Sequence, residues 1–162
     1  MSHTIAVDLG SGATPRNHFG ATKVFGVDVV PQGEDVIVCD LAVSPIPIKD
    51  GIIDFVTAFD FLEHIPRVVY HSGQRKNSFV DVMNEVWRIL KPGGLFYSFT
   101  PAFPKLAAFS DPTHVNIITE ETFIHYFDDR HRKATIYGFN GAFQVIEQTW
   151  KINHLATLMR KV

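Results

Sequence analysis

The sequence predicts an α/β fold built on a mostly parallel sheet, and three observations predict it. Short apolar runs rich in Val, Ile or Phe alternate with loops and a helical pattern. Near-continuous apolar character marks parallel strands covered on both faces. The run Val7-Asp8-Leu9-Gly10-Ser11-Gly12 reads as a strand entering a glycine turn. Sixteen residues past Gly12, Val24-Phe25-Gly26-Val27-Asp28 reads as a neighbouring strand that ends in a carboxylate.

The predicted strands are Thr4–Leu9, Lys23–Asp28, Val36–Cys39, Ile53–Phe59 and Gly94–Thr100. Asn77–Leu90 is the clearest helix, because Phe79, Val82, Met83, Val86, Trp87 and Leu90 recur at helical spacing and form one apolar stripe. Lys91-Pro92-Gly93-Gly94 ends that helix and turns the chain into the next strand. Thr119–Phe127 is expected to be a short helix with Thr119 as N-cap. Thr122 stands where a capping box places Glu or Gln, so the box is expected to be incomplete. Phe143–Lys151 and Leu155–Lys161 read as an antiparallel hairpin with its turn near Asn153. Only ten residues separate Gly12 from Lys23, and they include Pro15 and Gly20. A crossover of a dozen or more residues does not fit there, so a single turn or an irregular loop is expected.

The bulk properties bound the rest. A length of 162 residues argues for a single domain over 1–162. Hydrophobic residues make up 46% of the chain, enough for an ordinary core. The single cysteine, Cys39, excludes an intrachain disulfide. With no signal peptide and no long apolar run, it points to the cytoplasm and away from a membrane. A formal net charge of −2 does not favour nucleic-acid binding.

Glycine lets the backbone approach a ligand and take positive φ without a Cβ clash. An acid at the tip of the next strand accepts hydrogen bonds from both hydroxyls of a ribose. The pair therefore describes a pocket for a nucleoside cofactor, and two cofactors compete. A nicotinamide dinucleotide needs a third glycine and a helix N-terminus for its pyrophosphate. The run Gly10-Ser11-Gly12-Ala13-Thr14-Pro15 lacks that glycine. S-adenosylmethionine carries no phosphate and asks only for a glycine turn, a ribose acid and an adenine slot. Asp40, in Val38-Cys39-Asp40-Leu41, stands where it can accept a bond from the adenine amine. S-adenosylmethionine is the better fit.

Asp8-Leu9-Gly10-Ser11-Gly12, the Asp28 strand end, Cys39-Asp40-Leu41, Phe59-Asp60-Phe61-Leu62-Glu63-His64 and Leu90-Lys91-Pro92-Gly93-Gly94 resemble the ordered motifs of class I S-adenosylmethionine-dependent methyltransferases. The last two are most like the small-molecule type 11 group. The resemblance covers roughly residues 4–127. It implies a Rossmann-like doubly wound fold, with a seven-stranded sheet in the order 3-2-1-4-5-7-6 whose strand 7 is antiparallel, in keeping with the terminal hairpin at 143–161. The chain departs from the family in starting almost at the first strand, so the usual N-terminal cover of the cofactor is expected to be missing. Loop 66–76 or a partner subunit, as in a homodimer, is the expected substitute.

The resemblance and the residue types assign cofactor binding to Asp8, Gly10, Ser11, Gly12, Asp28, Val29, Asp40, Leu41 and Phe59. Asp8 either meets the cofactor's ammonium or braces the turn, and Asp40 is alternatively a turn residue. Asp60, Glu63 and His64 share one face if a helix starts there, with Asp60 and Glu63 as a capping box. Imidazole titrates near working pH, which makes His64 the first candidate base and His114 the second. A variant places a divalent ion on Asp60, Glu63 and His64, similar to some quinone-precursor methyltransferases. His3, His18, His125, His131 and His154 show no ligand spacing, and no metal is assigned.

The segment after the strand at 94–100 reads as a long loop forming the acceptor wall, with Asp111, His114 and Asn116 as candidate substrate contacts. The alternative is that Asp111 and Thr113 organise turns with His114 packed beneath. Phe61, Phe103 and Phe109 are candidates to line an apolar acceptor slot. Loop Arg67–Asn77 is expected to be solvated or to attract an anionic group. Cys39 is expected to be buried and inert. The expected function is methyl transfer to a small-molecule acceptor at oxygen. Alternatives are a non-catalytic cofactor-binding or interaction module of the same fold, and a nicotinamide-dependent oxidoreductase.

Overall fold

The computed structural model describes residues 3–162. In chain order the elements are β1 (Ile5–Leu9), β2 (Lys23–Asp28), β3 (Val36–Val38), β4 (Ile53–Phe59), β5 (Val69–His71), β6 (Gln74–Lys76), α1 (Ser78–Ile89), β7 (Leu90–Pro101), α2 (Ala107–Ser110), α3 (Glu120–Tyr126), β8 (Phe143–Lys151) and β9 (His154–Lys161). Short 3-10 turns occupy Leu62–His64 and Lys133–Tyr137. The main sheet has seven strands in the order β3-β2-β1-β4-β7-β9-β8. The first four pairings are parallel, and β9 runs antiparallel to both β7 and β8. With the small β5–β6 hairpin set aside, this is the expected order. The fold is Rossmann-like α/β.

The two faces of the sheet differ. In the register of β1, β4 and β7, Val7 and Leu9, Val56 and Ala58, and Phe96 point to one face. All are buried, and they share a core with Val82, Met83, Val86 and Ile89 of α1. Fully burying such a side chain contributes about 1.5–3 kcal/mol, so this face carries most of the stability. The predicted stripe is the buried face of α1, although Leu90 itself already begins β7.

The opposite face presents Phe55, Phe59, Tyr97 and Phe99, which stay half-buried. It is covered by the loop 10–22 in place of a crossover helix. Gly26 makes that possible. A Cβ there would overlap Ser11 Oγ and lie 2.9 Å from Pro15 Cγ, so the loop rests directly on the β2 backbone. Further along, Arg16 stands 4.7 Å over the Phe59 ring, His18 stacks on Tyr97 at 4.2 Å, and Phe19 stacks on Phe55 at 4.6 Å.

Two local expectations need correction. The capping box of α3 is complete: the Thr119 side chain accepts from the Thr122 N–H, and Thr122 Oγ1 accepts the Thr119 N–H at 2.9 Å. A hydroxyl does there what a Glu carboxylate does elsewhere. The expected loop after Arg67 is in part a hairpin, with Val69, Tyr70 and His71 paired to Lys76, Arg75 and Gln74.

Candidate functional site

The glycine turn follows β1. Gly10 and Gly12 take φ of 66° and 59°, a region costly for residues with a Cβ. The Gly10 N–H donates to Val27 O at 2.8 Å, which ties the turn to β2. Asp28, at the tip of β2, accepts the Gly12 N–H at 2.9 Å on one oxygen and the Val30 N–H at 3.0 Å on the other. Each carboxylate oxygen has a second lone pair free for a hydroxyl. A Cβ on Gly10 would sit 2.5 Å from the Phe61 ring, whereas one on Gly12 would meet nothing within 4 Å. The backbone at Gly12 therefore faces open space beside Asp28. That cradle, with an acid at its rim and no demand for a phosphate, fits an adenosyl cofactor.

Around it, the remaining residues take distinct places. Asp8 is buried at 2% exposure; it accepts the Thr57 hydroxyl at 2.6 Å and the Arg16 N–H at 2.8 Å. Both its oxygens brace the turn and its loop, and burial pushes its carboxyl above the usual range. Ser11 packs on Gly26 and donates to Gly12 O at 3.0 Å. Val29 is 61% exposed, which leaves an apolar wall beside Asp28. Asp40 accepts the Ala42 N–H at 3.0 Å in a turn, and Leu41 is buried behind it. Phe59 ends β4, and the chain beyond it is fixed by the Asp60 N–H donating to Phe99 O at 2.9 Å. Cys39 lies just past β3 and is only half-buried, a correction to the expected burial. Desolvation, with Asp40 and Glu85 nearby, still raises its thiol pKa and keeps it protonated.

The trio Asp60, Glu63 and His64 does not stay together. Only a 3-10 turn forms at Leu62–His64, flanked by Phe61, with no side-chain cap. Asp60 takes φ of 48° and pairs with His154 Nε2 of β9 at 2.7 Å. His154 in turn stacks on Phe99 at 4.4 Å. Glu63 is 1% exposed; its Oε2 accepts the Thr100 hydroxyl at 2.8 Å. Burial, above all, raises its carboxyl pKa.

His114 takes the place that Asp60 vacates. The rings of His64 and His114 are 4.9 Å apart, edge to face. The segment 111–117 is pinned to the 3-10 turn: the Val115 and Asn116 N–H groups both donate to Glu63 O at 2.9 Å. Asn116 donates to Leu62 O at 3.0 Å and accepts from Arg67 Nε at 2.9 Å. Asn116 is thus a buried strut rather than a substrate contact. Asp111 organises a turn, accepting the Thr113 N–H at 2.8 Å and the Thr113 hydroxyl at 2.6 Å. Phe103 and Phe109 are both 53% exposed, whereas Phe61 covers Gly10. Sequence reasoning missed the Asp60–His154 pair and the union of Glu63 with His114, which join residues far apart in the chain.

Two cavities flank α1. One, of about 330 Å³, lies between residues 41–46 and the middle of the helix at Asp81–Glu85. The other, of about 450 Å³, is lined by Arg67 and Arg75 on one side and Thr119, Tyr126 and Tyr137 on the other. The glycine turn lines neither. No helix among the described residues is long and apolar enough to cross a membrane.

A glycine turn with an acid-tipped neighbour, at the carboxyl ends of parallel strands, defines a nucleoside-binding α/β protein. The methyltransferase domain family matches residues 7–98, more than half of the chain, and the chain belongs to that family. The chain is similar to a methyltransferase from Haloferax volcanii solved with the Trm112 activator, at 18% identity and TM-score 0.64, covering 98% of this chain and 82% of that one. It is also similar to the YcgJ protein of Bacillus subtilis, at 14% identity and TM-score 0.61, over 98% and 91% of the two chains. A third similar structure is an S-adenosylmethionine-dependent methyltransferase from Aquifex aeolicus, at 13% identity and TM-score 0.63, over 99% and 83%. No curated protein matches the sequence. The class I methyltransferase fold is established, and S-adenosylmethionine is the cofactor it implies.

Proposed function

We propose that the chain transfers the methyl group of S-adenosylmethionine to an oxygen of a small-molecule acceptor. Gly10, Gly12, Asp28 and Val29 hold the adenosyl part, Asp40 and Leu41 bound the adenine, and the Phe59 backbone meets the methionine end. Asp8 and Ser11 act by holding the turn. One observation carries the acceptor side: the ring of His64, in the turn after β4, stands 4.9 Å from that of His114, in the segment between α2 and α3. An acceptor hydroxyl loses its proton to this pair as its oxygen attacks the sulfonium methyl in line. S-adenosylhomocysteine leaves. Alignment and water exclusion supply the main rate gain, roughly 7–11 kcal/mol in well-oriented systems. The single cysteine is in keeping with a cytoplasmic protein.

Titration calorimetry with S-adenosylmethionine and S-adenosylhomocysteine tests the reading. Hydrogen bonds to a carboxylate contribute about 1.5–3 kcal/mol each. Asp28→Ala should therefore raise Kd at least tenfold, by roughly 1.4 kcal/mol per decade. No heat of binding, or an unchanged Kd in Asp28→Ala, defeats it. A second reading, a non-catalytic module of the same fold, is favoured by the loop that stands on the sheet in place of a helix. Cofactor binding without methylated product across a panel of hydroxylated acceptors would support that reading. A protein partner, or a second copy of the chain, is then the proposed cover for the cofactor.

A further inference from the structure

Glu63, His64 and His114 each offer a ligand atom, and these atoms all lie within 4.8 Å of one another. Buried polar groups almost always have partners, yet two in this cluster have none. Glu63 Oε1 and His114 Nδ1 are both buried without a hydrogen-bond partner among the described residues. Arg67 is committed to Asn116 and the Ile117 carbonyl, and no Lys or Arg forms an ion pair with Glu63 among the described residues.

The third member is oriented. Thr113 Oγ1 lies 3.0 Å from His64 Nδ1 and 2.6 Å from Asp111 Oδ1. A hydroxyl has one proton, and an ionised Asp111 can only accept it. Thr113 therefore accepts from His64 Nδ1–H, which leaves Nε2 of His64 with its lone pair free. Metal-binding histidines are held in this manner, with the opposite ring nitrogen donating to a fixed oxygen.

We propose that Glu63, His64 and His114 form a binding site for a divalent first-row transition ion, with zinc as the representative probe. Two imidazoles and one carboxylate suit such an ion, whereas magnesium and calcium prefer oxygen alone. Metal–ligand distances of about 2.0–2.2 Å imply tetrahedral ligand spacings of roughly 3.4 Å. Small side-chain rotations close the cluster to that size, since the backbone of the 111–117 segment is already fixed to Glu63 O. Three protein ligands leave a position open. Without an ion the histidine pair takes the acceptor's proton; with one bound both imidazoles are ligands and the acceptor hydroxyl takes the open position, a part of the inference that rests on the methyl-transfer reading. There the ion lowers the hydroxyl's pKa. The proton passes to solvent, the O–CH3 bond forms as the C–S bond breaks, and neutral S-adenosylhomocysteine leaves.

The test uses the full chain, stripped with a chelator and dialysed. Zinc chloride is titrated by calorimetry, and cobalt(II) by its visible absorption. One saturable site per chain is expected. His64→Ala and His114→Ala should each weaken zinc at least tenfold, and Glu63→Gln should do the same. His125→Ala should change nothing, although His125 and His131 form the other close histidine pair at 5.2 Å. If Glu63→Gln fails to fold by circular dichroism, the half-exposed His114→Ala variant decides alone. Absence of a stoichiometric site, or unchanged affinity in both histidine variants, overturns the proposal. S-adenosylhomocysteine binding is measured in parallel without metal. Its loss with zinc binding intact would sink the transferase reading and leave the metal site standing.

Discussion

Gly26→Ala is the sharpest test of how the first crossover is built. In an ordinary strand, replacing Gly by Ala removes backbone entropy from the unfolded chain and is worth roughly 0.5–1 kcal/mol of added stability. The structure reverses that sign. The new Cβ overlaps Ser11 Oγ and stands 2.9 Å from both Ser11 Cβ and Pro15 Cγ, so loop 10–22 must lift off the sheet. Overpacking of this kind costs about 1–3 kcal/mol. For a domain of this size each kcal/mol moves Tm by roughly 2–4 °C, so a loss of about 2–12 °C is expected by calorimetric melting. S-adenosylhomocysteine affinity should fall with it, because Gly12 belongs to the same loop. Ser11→Gly removes the two Ser11 atoms involved and should restore part of the loss in the double variant, with a coupling of about 0.5–3 kcal/mol. A Gly26→Ala protein that melts at the wild-type temperature or above, with additive double-variant effects, would refute the packing of this loop on β2.

The other tests address charge and loop anchoring. Burial raises the Asp8 carboxyl above its usual 3.8, so the folded state holds that proton more tightly than the unfolded chain. By linkage, its contribution is fully present below 3.8 and is lost as pH rises through the higher native value. Asp8→Asn should flatten that part of the stability–pH curve in urea titrations, and an unchanged slope would contradict it. Arg88 donates to Ile46 O at 2.8 Å, Ile48 O at 2.7 Å, Glu85 and Asp50. Arg88→Ala strands those acceptors and should cost about 2–3 kcal/mol, read from the urea midpoint. Asn116→Ala removes the side-chain ties to Leu62 O and Arg67 and leaves segment 111–117 held to the Leu62–His64 turn by its two backbone bonds to Glu63 O. It should cost about 1–3 kcal/mol and speed hydrogen exchange at the Val115 amide.

The juxtaposition of the proposed cofactor residues was legible because its signals are local. Gly10, Gly12 and Asp28 lie within one strand–turn–strand unit, and each residue type answers a steric or hydrogen-bonding demand of that unit. The acceptor half was not. His114 reaches Glu63 only because backbone N–H groups of Val115 and Asn116 find Glu63 O across about a third of the chain. No spacing rule encodes such a contact. Asp60 misled for a related reason. Its spacing to Glu63 matches a capping box, but its backbone adopts the left-handed region and its side chain goes to His154 on the last strand. The β5–β6 hairpin left a fainter trace. Ser72-Gly73 both take positive φ, as a tight hairpin turn requires. Tyr70, at 78% exposure, shows why no apolar alternation accompanied it.

The unequal faces of the sheet connect these observations. Where α1 covers one face with interdigitated aliphatic side chains, the other relies on aromatic contacts from a loop. Each such pair adds about 0.5–1.5 kcal/mol beyond its buried area, which is less than a packed helix face supplies. The same loop begins with the glycines proposed to hold the cofactor and is fastened at two acids, Asp28 at Gly12 and Asp8 at Arg16. Covering the sheet and forming the proposed cofactor cradle are therefore one structural task. A ligand that settles on Gly12 and Asp28 also settles the cover of Phe55, Phe59 and Tyr97, since a segment this short cannot shift at one end and stay seated at the other.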